Sequence, residues 1–457
     1  MKTVSIVGAG LAGSECAFQL AQKGYKVTLY EMRDQQMTPA HQTKYFAELV
    51  CSNSFGSQTT YSAPGQLKWE AEKLNSLLLK IAKKHQVPAG MALAVDRQKF
   101  ANEITNQLNK HPNITIVQKT ISSLQELKRP AVIASGPLTN KHLATALSQH
   151  FNTDSLYFFD AIAPIVDAES INWDKVWLAN RFDDIEKDYI NCPLNKEEYF
   201  NLIEEIKKAD TLAFKNFEKE DLKLIENTPY FDACMPIEVI ISRGDLSLRF
   251  GPLSPKGLTN PHSKEKPFAV VQLRTENKDK TAYNMVGFQT KMNYPEQKRI
   301  FKMIPGLENA DFLKLGSIHR NLYINSPKKL NTNLSSKADT QLFFAGQITG
   351  VEGYFESTCM GLLAALSIDQ GNSFTTPPPQ SAFGALLNAI TEDKDHFQPT
   401  NINFSLFKPL TEKDIARLQG NLLSTEQKLK GRKNKQARRD LQIKNAQYYF
   451  NQWAKNL

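Results

Sequence analysis

The stretch Thr3-Val4-Ser5-Ile6-Val7-Gly8-Ala9-Gly10-Leu11-Ala12-Gly13 decides the fold. Residues 3–7 are β-branched apart from Ser5, the pattern of a strand buried on both faces of a parallel sheet. Three glycines follow at GxGxxG spacing. In such a turn the first glycine permits the tight bend and the second lets the backbone approach a pyrophosphate. The third lets the helix pack closely on the strand. Apolar spacing through Ala17, Leu20 and Ala21 predicts a helix over 14–23, closed by Gly24. Its N-terminus would face the phosphates. Residues 26–31 predict a second strand ending in Glu31, eighteen residues after Gly13. An acid near that spacing (~20) binds ribose hydroxyls. Strand, loop, helix, strand and acid fall in order, so the expected class is α/β with a Rossmann-type dinucleotide site. Gly8, Ala9, Gly10, Gly13 and Glu31 are its first candidates.

Further along, 65–84 and 96–109 read as amphipathic helices and 113–117 as a strand. The apolar run 131–134 leads into Ser135-Gly136-Pro137, and 342–345 leads into Gly346-Gln347. A helix is expected over 356–369. A late strand meeting a glycine turn favours FAD over NAD, because flavoproteins bring a second strand end and helix N-terminus back to the flavin. Gly136, Gly346, Gln347 and Gly350 are therefore cofactor candidates, and Tyr354 is placed to pack on the flavin ring or in the core. Between roughly 165 and 325 the pattern changes to alternating segments such as 269–273 and 283–288, set among lysine-rich helices. This predicts a domain of 165–325 inserted into a discontinuous dinucleotide domain of 1–164 and 326–457.

The five cysteines, Cys16, Cys51, Cys192, Cys234 and Cys359, are odd in number and lack CxxC spacing. Neither a disulfide framework nor a metal site is expected, and the eight histidines add no metal-like spacing. A reducing cytoplasm fits this usage. No apolar run approaches ~20 residues, so no membrane span is expected. Cys51 precedes the polar run Ser52-Asn53-Ser54, and Cys234 precedes Met235-Pro236. Neither flank reads as a plain core strand. A thiol becomes nucleophilic only when its pKa is lowered or a base stands near, so these two are the candidate reactive cysteines, with Cys359 third. Cys16 is expected to pack on the sheet, and Cys192 to lie in a loop before Pro193.

The net charge is +9 and the sequence pI about 9.0, a balance that suits a polyanionic partner or solubility alone. From Lys428 to Lys444 there are eight basic residues and one acid. Lys428, Arg432, Lys435, Arg438 and Arg439 are candidates for phosphate contact, Gly431 being a break in any continuous helix. Tyr448, Tyr449 and Trp453 are expected to pack, with base stacking the alternative.

The motifs together resemble the TrmFO family, folate- and FAD-dependent RNA uracil-5-methyltransferases, over essentially the whole chain. The resemblance rests on Gly8–Gly13, Leu49–Phe55, Leu93–Arg97, Asp160–Ile165, Cys234–Glu238, Phe250–Pro252, Ile318–Asn321 and Gly346–Tyr354. It departs from the family pattern at Met91, Met235, Phe355, Cys359, Thr400 and Ser405. The resemblance implies a GidA/TrmFO-like flavoprotein with an inserted α/β domain. It further implies FAD as cofactor, with 5,10-methylenetetrahydrofolate and NAD(P)H as co-substrates. The product would be 5-methyluridine in RNA, either in the T-loop of tRNA or in 23S rRNA. Cys51 and Cys234 match the family's functional cysteines and Tyr354 its flavin-facing tyrosine. Asn53, His319 and Arg320 become folate or substrate candidates. Uracil C5 is a poor nucleophile. A thiolate adding at C6 makes it reactive, with Cys234 the leading candidate for attack and Cys51 for assisting deprotonation at C5 or shielding the flavin adduct, the two roles being exchangeable. Two readings compete: a flavin oxidoreductase of small molecules, and a non-catalytic RNA-binding flavoprotein.

Overall fold

A computed structural model describes residues 1–38, 40–152, 156–183, 185–211, 235–263, 265–394, 397–419 and 435–457. For 156–162, 317–320, 419 and 435 it describes the backbone course alone. Strand Thr3–Val7 lies in the middle of a five-stranded sheet. The order across it is Leu342–Phe344, Ala131–Ile133, Thr3–Val7, Lys26–Glu31, Ile114–Gln118, every pair parallel. A central strand is covered on both faces, which is why Val4, Ile6 and Val7 are all buried. Helix Leu11–Gln22 covers one face and packs against helix Tyr354–Gln370. Their backbones come so close that a Cβ at Gly361 would lie 2.1 Å from the Ala12 carbonyl oxygen.

The helix expected over 65–84 is two helices, Ala63–Lys73 and Leu77–Lys84. Asn75 takes a left-handed φ of 57° between them, and the Ser76 hydroxyl caps the second by accepting from Leu79 N–H. The buried Glu15 carboxylate completes that cap from the first helix, accepting from Leu77 N–H at 3.0 Å and Leu78 N–H at 2.9 Å.

The second sheet has six strands. Their order is Trp177–Leu178, Tyr189–Leu194, Ala269–Thr275, Ala282–Met285, Ile165–Asp167, Phe312–Lys314, and every pair is antiparallel. It has its own core, built from residues such as Ile190, Val271, Met285 and Phe301 together with helix Lys196–Lys208. Cys192 is not in a loop. It lies inside strand Tyr189–Leu194, opposite Val271 and fully buried, and burial pushes its thiol up. A two-stranded ribbon, Leu156–Ile162 against Ser317–Tyr323, lies on either side of this sheet in sequence.

The C-terminal helix Lys435–Ala454 packs on helix Ala63–Lys73 through Trp69 and Phe450. Trp453 is buried and donates its ring N–H to the Thr375 carbonyl at 3.0 Å. Tyr449 donates its hydroxyl to Asp414. Both aromatics pack, as expected, but Tyr448 does not: it is exposed, with the Arg417 guanidinium over its ring.

Candidate active site

The glycine turn opens onto a cleft of about 1000 Å³, its mouth included. Val7, Gly8, Gly10, Glu31, Ser135, Gly136, Gly346 and Gln347 are among its walls. The glycines divide by task. Gly8 has φ of +98°, and a Cβ there would lie 2.6 Å from the Ala134 carbonyl oxygen. At Gly13 a Cβ would lie 1.8 Å from the Gly8 carbonyl oxygen, so this position sets the close packing of helix on strand. At Gly10 and Gly136 nothing lies within 4 Å of a Cβ position, and both line the cleft. There the backbone is open to a close-lying ligand. Helix Leu11–Gln22 starts at Gly10 with no side-chain cap and no acid in its first turn. Its first N–H groups are left for an anion.

Glu31 is buried at the end of its strand. Its carboxylate accepts from Ala9 N–H at 2.9 Å, from Arg33 N–H and from the Arg33 guanidinium at 3.0 Å. Burial alone would raise its pKa. The Arg33 bonds outweigh that and hold it below the ordinary value, so it stands ionised on the cleft wall. A strand-end carboxylate, open glycines and an uncapped helix N-terminus fit the ribose and pyrophosphate of a flavin dinucleotide. Gly350 lies elsewhere. Its φ is +83° and a Cβ would strike the Phe397 ring, so its bareness serves packing, away from the cleft wall.

A second cavity, about 1520 Å³ with its mouth, adjoins the cleft. Val50, Pro137, Leu138, Gln347 and Tyr354 belong to both. Cys51 lines the second, with Arg274, Asn284, Asn321, Glu352 and Glu356. Tyr354 is the hinge point of the arrangement. It opens helix Tyr354–Gln370 after Gly353, whose φ is +103°. Its hydroxyl oxygen accepts from Cys51 N–H at 2.8 Å and Ser52 N–H at 3.2 Å, and lies 2.9 Å from Cys51 Sγ. A phenolic oxygen with two incoming bonds has one proton left to give, and it points that proton at the sulfur. Burial first, then the neighbouring Cys51, holds the phenol well above the usual tyrosine range. It stays protonated and able to donate. The arrangement thus places a hydrogen-bonded thiol at the junction of a dinucleotide cleft and a substrate-sized cavity.

The other sequence candidates fall as follows. Asn53 is fully buried and lines neither cavity. Its amide donates to the carbonyls of Val95 at 3.2 Å and Thr275 at 2.9 Å, bridging a strand near the cysteine loop to the second sheet. His319 and Arg320 lie in strand Ser317–Tyr323, their side chains outside the described atoms. Cys234, Lys428 and Arg432 lie outside the described residues, as does the side chain of Lys435. Arg438 is exposed on the C-terminal helix, and Arg439 packs its guanidinium over the Phe404 ring. Cys359 faces the core, and burial holds its thiol well above the usual range, so its place as third reactive thiol is withdrawn. Cys16 is buried in the first helix, as expected.

Sequence reasoning missed Arg274, Asn284 and Asn321. Arg274 and Asn284 come from strands with no motif around them, whereas Asn321 closes the Ile318–Asn321 motif, where His319 and Arg320 were singled out and the asparagine beside them was not. Asn284 is buried, lines the second cavity, and its amide nitrogen is unpaired among the described residues.

The family model described as glucose inhibited division protein A matches residues 3–373. The methylenetetrahydrofolate–tRNA-(uracil-5-)-methyltransferase TrmFO of Bdellovibrio bacteriovorus is 60% identical over 416 residues, covering 90% of this chain and 93% of its own. That of Desulfotalea psychrophila is 47% identical, covering 92% and 94%. Among solved structures, GidA of Aquifex aeolicus superposes with a TM-score of 0.62 at 15% identity, over 85% of this chain and 69% of that one, which establishes the shared fold. Matched from its first strand to beyond Tyr354, and nearly end to end by its relatives, the chain belongs to the glucose-inhibited division protein A family and, within it, to the TrmFO group.

Proposed function

We propose that this chain methylates C5 of a uridine in tRNA, using FAD, 5,10-methylenetetrahydrofolate and a reduced nicotinamide. The observation that carries the reading is the junction at Tyr354, where the dinucleotide cleft meets the cavity lined by Cys51. The relatives' names supply the substrate class. When bound, FAD supplies the redox chemistry that turns a folate-derived methylene into a methyl group.

The chain's own residues have the remaining tasks. Gly10, Gly136, Gly346 and the helix starting at Leu11 hold the pyrophosphate region, with Glu31 toward the ribose. Tyr354 bounds the cavity at the flavin end. A thiolate adds to uracil C6, and the electron pair moves to C5. Once the methylene carbon is bonded to C5, a base removes the C5 proton and that electron pair expels the one-carbon carrier, leaving an exocyclic methylene. A hydride, drawn ultimately from the reduced nicotinamide, would add to that carbon and the thiolate would leave C6. Cys234 is assigned to the addition and Cys51 to the proton, an assignment that exchanges if the variants below behave oppositely. Asn284 and Arg274 offer donors to a carbonyl or ring nitrogen in the cavity. A paired or stacked uridine must be flipped out to reach it. Arg438 and its basic neighbours contact phosphates. No helix among the described residues is long and apolar enough to cross a membrane, in keeping with a cytoplasmic RNA enzyme.

The test is mass spectrometry of unmodified tRNA and large-subunit rRNA fragments, each incubated with the FAD-loaded protein, NADPH and isotope-labelled methylenetetrahydrofolate. Label at C5 of a tRNA uridine supports the proposal. Label confined to rRNA changes the substrate. No label in either, with NADPH still oxidised, favours a small-molecule oxidoreductase. Cys234→Ala is expected to abolish the covalent RNA adduct, and Cys51→Ala to leave it trapped.

A further inference from the structure

Tyr354 is not the only group that holds Cys51. The Leu49 carbonyl accepts from Arg97 Nη1 at 2.8 Å. The Val50 carbonyl accepts from Lys314 Nζ at 3.1 Å. The Ser52 hydroxyl accepts from Arg274 Nη2 at 2.8 Å. Two of these cations come from the second sheet, Arg274 on strand Ala269–Thr275 and Lys314 at the end of strand Phe312–Lys314. The third, Arg97, opens helix Arg97–Asn109 but is tied to the second sheet as well. Its Nε meets Glu276 Oε2 at 2.5 Å and its Nη2 meets Glu276 Oε1 at 3.0 Å. Three consecutive residues before and at the cysteine, and the one after it, are therefore fixed by cations and by a phenol.

A neutral donor would satisfy the Val50 carbonyl as well as a lysine does. What lysine adds is charge, held half-buried where charge is costly. Burial first, then Arg97, lowers the Lys314 ammonium, while Glu48, Cys51 and Glu276 work the other way. Glu276 is committed to Arg97. The cavity side of Cys51 carries Arg274, Glu352 and Glu356. A cation beside a thiol favours its ionised form and so its nucleophilicity or basicity. Neither Lys314 nor Arg97 is among the described residues that line the dinucleotide cleft or the adjoining cavity.

We infer that Lys314, with Arg274, is a positioning residue for the Cys51 thiol, fastening the Val50–Ser52 backbone to the second sheet and setting a positive charge beside the cysteine loop. The role of Cys51 in methylation belongs to the proposed function, on which this inference rests, but its test needs no methylation. The second sheet then does more than wall the cavity: its seat against the dinucleotide domain sets the state of the thiol.

The experiment is alkylation of the FAD-loaded protein by iodoacetamide from pH 6 to 10, with the rate at Cys51 read by peptide mass mapping. Lys314→Gln is expected to slow Cys51 alkylation at pH 7 by about fivefold and move the midpoint of its pH profile upward, with FAD content and Tm near wild type. In the methylation assay kcat falls while KM for folate and RNA holds. Lys314→Arg keeps the charge and is expected to restore the midpoint. An unmoved midpoint in Lys314→Gln, or a Lys314→Arg variant as slow as Lys314→Gln, overturns the inference. If Lys314→Gln does not fold, Ser52→Ala removes the acceptor of Arg274 by deleting one hydroxyl, and its Cys51 alkylation must also slow, by about twofold; an unchanged rate overturns the inference. Should Cys51→Ala leave methylation intact, the functional role of the thiol falls while the alkylation result still stands or fails by itself.

Discussion

At the scale of single residues the molecule turns on one phenol. Tyr354 serves two backbone N–H groups and a sulfur, all on a loop 303 positions earlier in the chain. Tyr354→Phe keeps the ring at the cavity junction and deletes only the oxygen. The Cys51 and Ser52 N–H groups then lack their acceptor, at a cost of about 1–3 kcal/mol. The expected outcome is a lowered Tm, near-normal FAD content and a methylation rate down by at least about tenfold, since a misplaced reacting group commonly costs that much or more. Loss of FAD with an unchanged rate per bound flavin would show that the ring, and not the hydroxyl, is what matters. The glycines were readable because each requirement is local: a positive φ at Gly8, a close helix at Gly13, an open backbone at Gly10. The bonds from Tyr354, Lys314 and Arg274 to the cysteine loop were not, because they depend on where long side chains meet after distant segments pack.

Elements are tied to one another by buried carboxylates that act as caps for helices other than their own. Glu70, fully buried on helix Ala63–Lys73, accepts from Ala382 N–H at 2.7 Å and Phe383 N–H at 2.8 Å, at the start of helix Ala382–Thr391. Burial raises its carboxyl from 4.5 to about 7, although these bonds and one from Gln66 oppose the shift. Between those values the folded chain keeps a proton that the unfolded chain has released. The stability this group contributes is therefore complete below about pH 4.5 and declines as pH rises through about 7. Glu70→Gln cannot ionise. From pH 5 to 8 the stability difference is expected to move in favour of the variant by on the order of 2 kcal/mol, read from denaturant unfolding at each pH. A difference independent of pH would rule this out. Such caps also explain where elements were misread. The expected helix over 65–84 has continuous apolar spacing, yet Ser76 and the remote Glu15 stabilise a break there. Cys192 beside Pro193 looked like a loop, and only the neighbouring strand Ala269–Thr275 makes it a strand.

For the whole molecule, the parallel sheet was legible because period and length carry it. The register between the two sheets was not. The C-terminal helix separates two roles that its sequence mixes. Phe450 is fully buried against Trp69 and Phe383. Phe450→Ala is expected to cost about 3–5 kcal/mol in urea unfolding. Arg438 is exposed. Arg438→Ala is expected to leave that stability alone and to reduce the slope of log affinity for tRNA against log salt by about 1. An unchanged slope would remove Arg438 from the RNA surface.

The edge strand Leu342–Phe344 pairs with Ala131–Ile133, although some 200 residues separate them in the chain. On the ribosome, at about 5–20 residues per second, roughly 10–40 s pass between the two. Throughout that interval the nascent sheet has four strands and a bare hydrogen-bonding edge at Ala131–Ile133, a template for any other extended segment nearby. Gly346, Gln347 and Tyr354 follow the missing strand directly, so the cofactor cleft has no closing wall until the edge is filled. Synthesis thus carries its own schedule: the hazard of mispairing ends, and the capacity to take up flavin begins, with the same three residues.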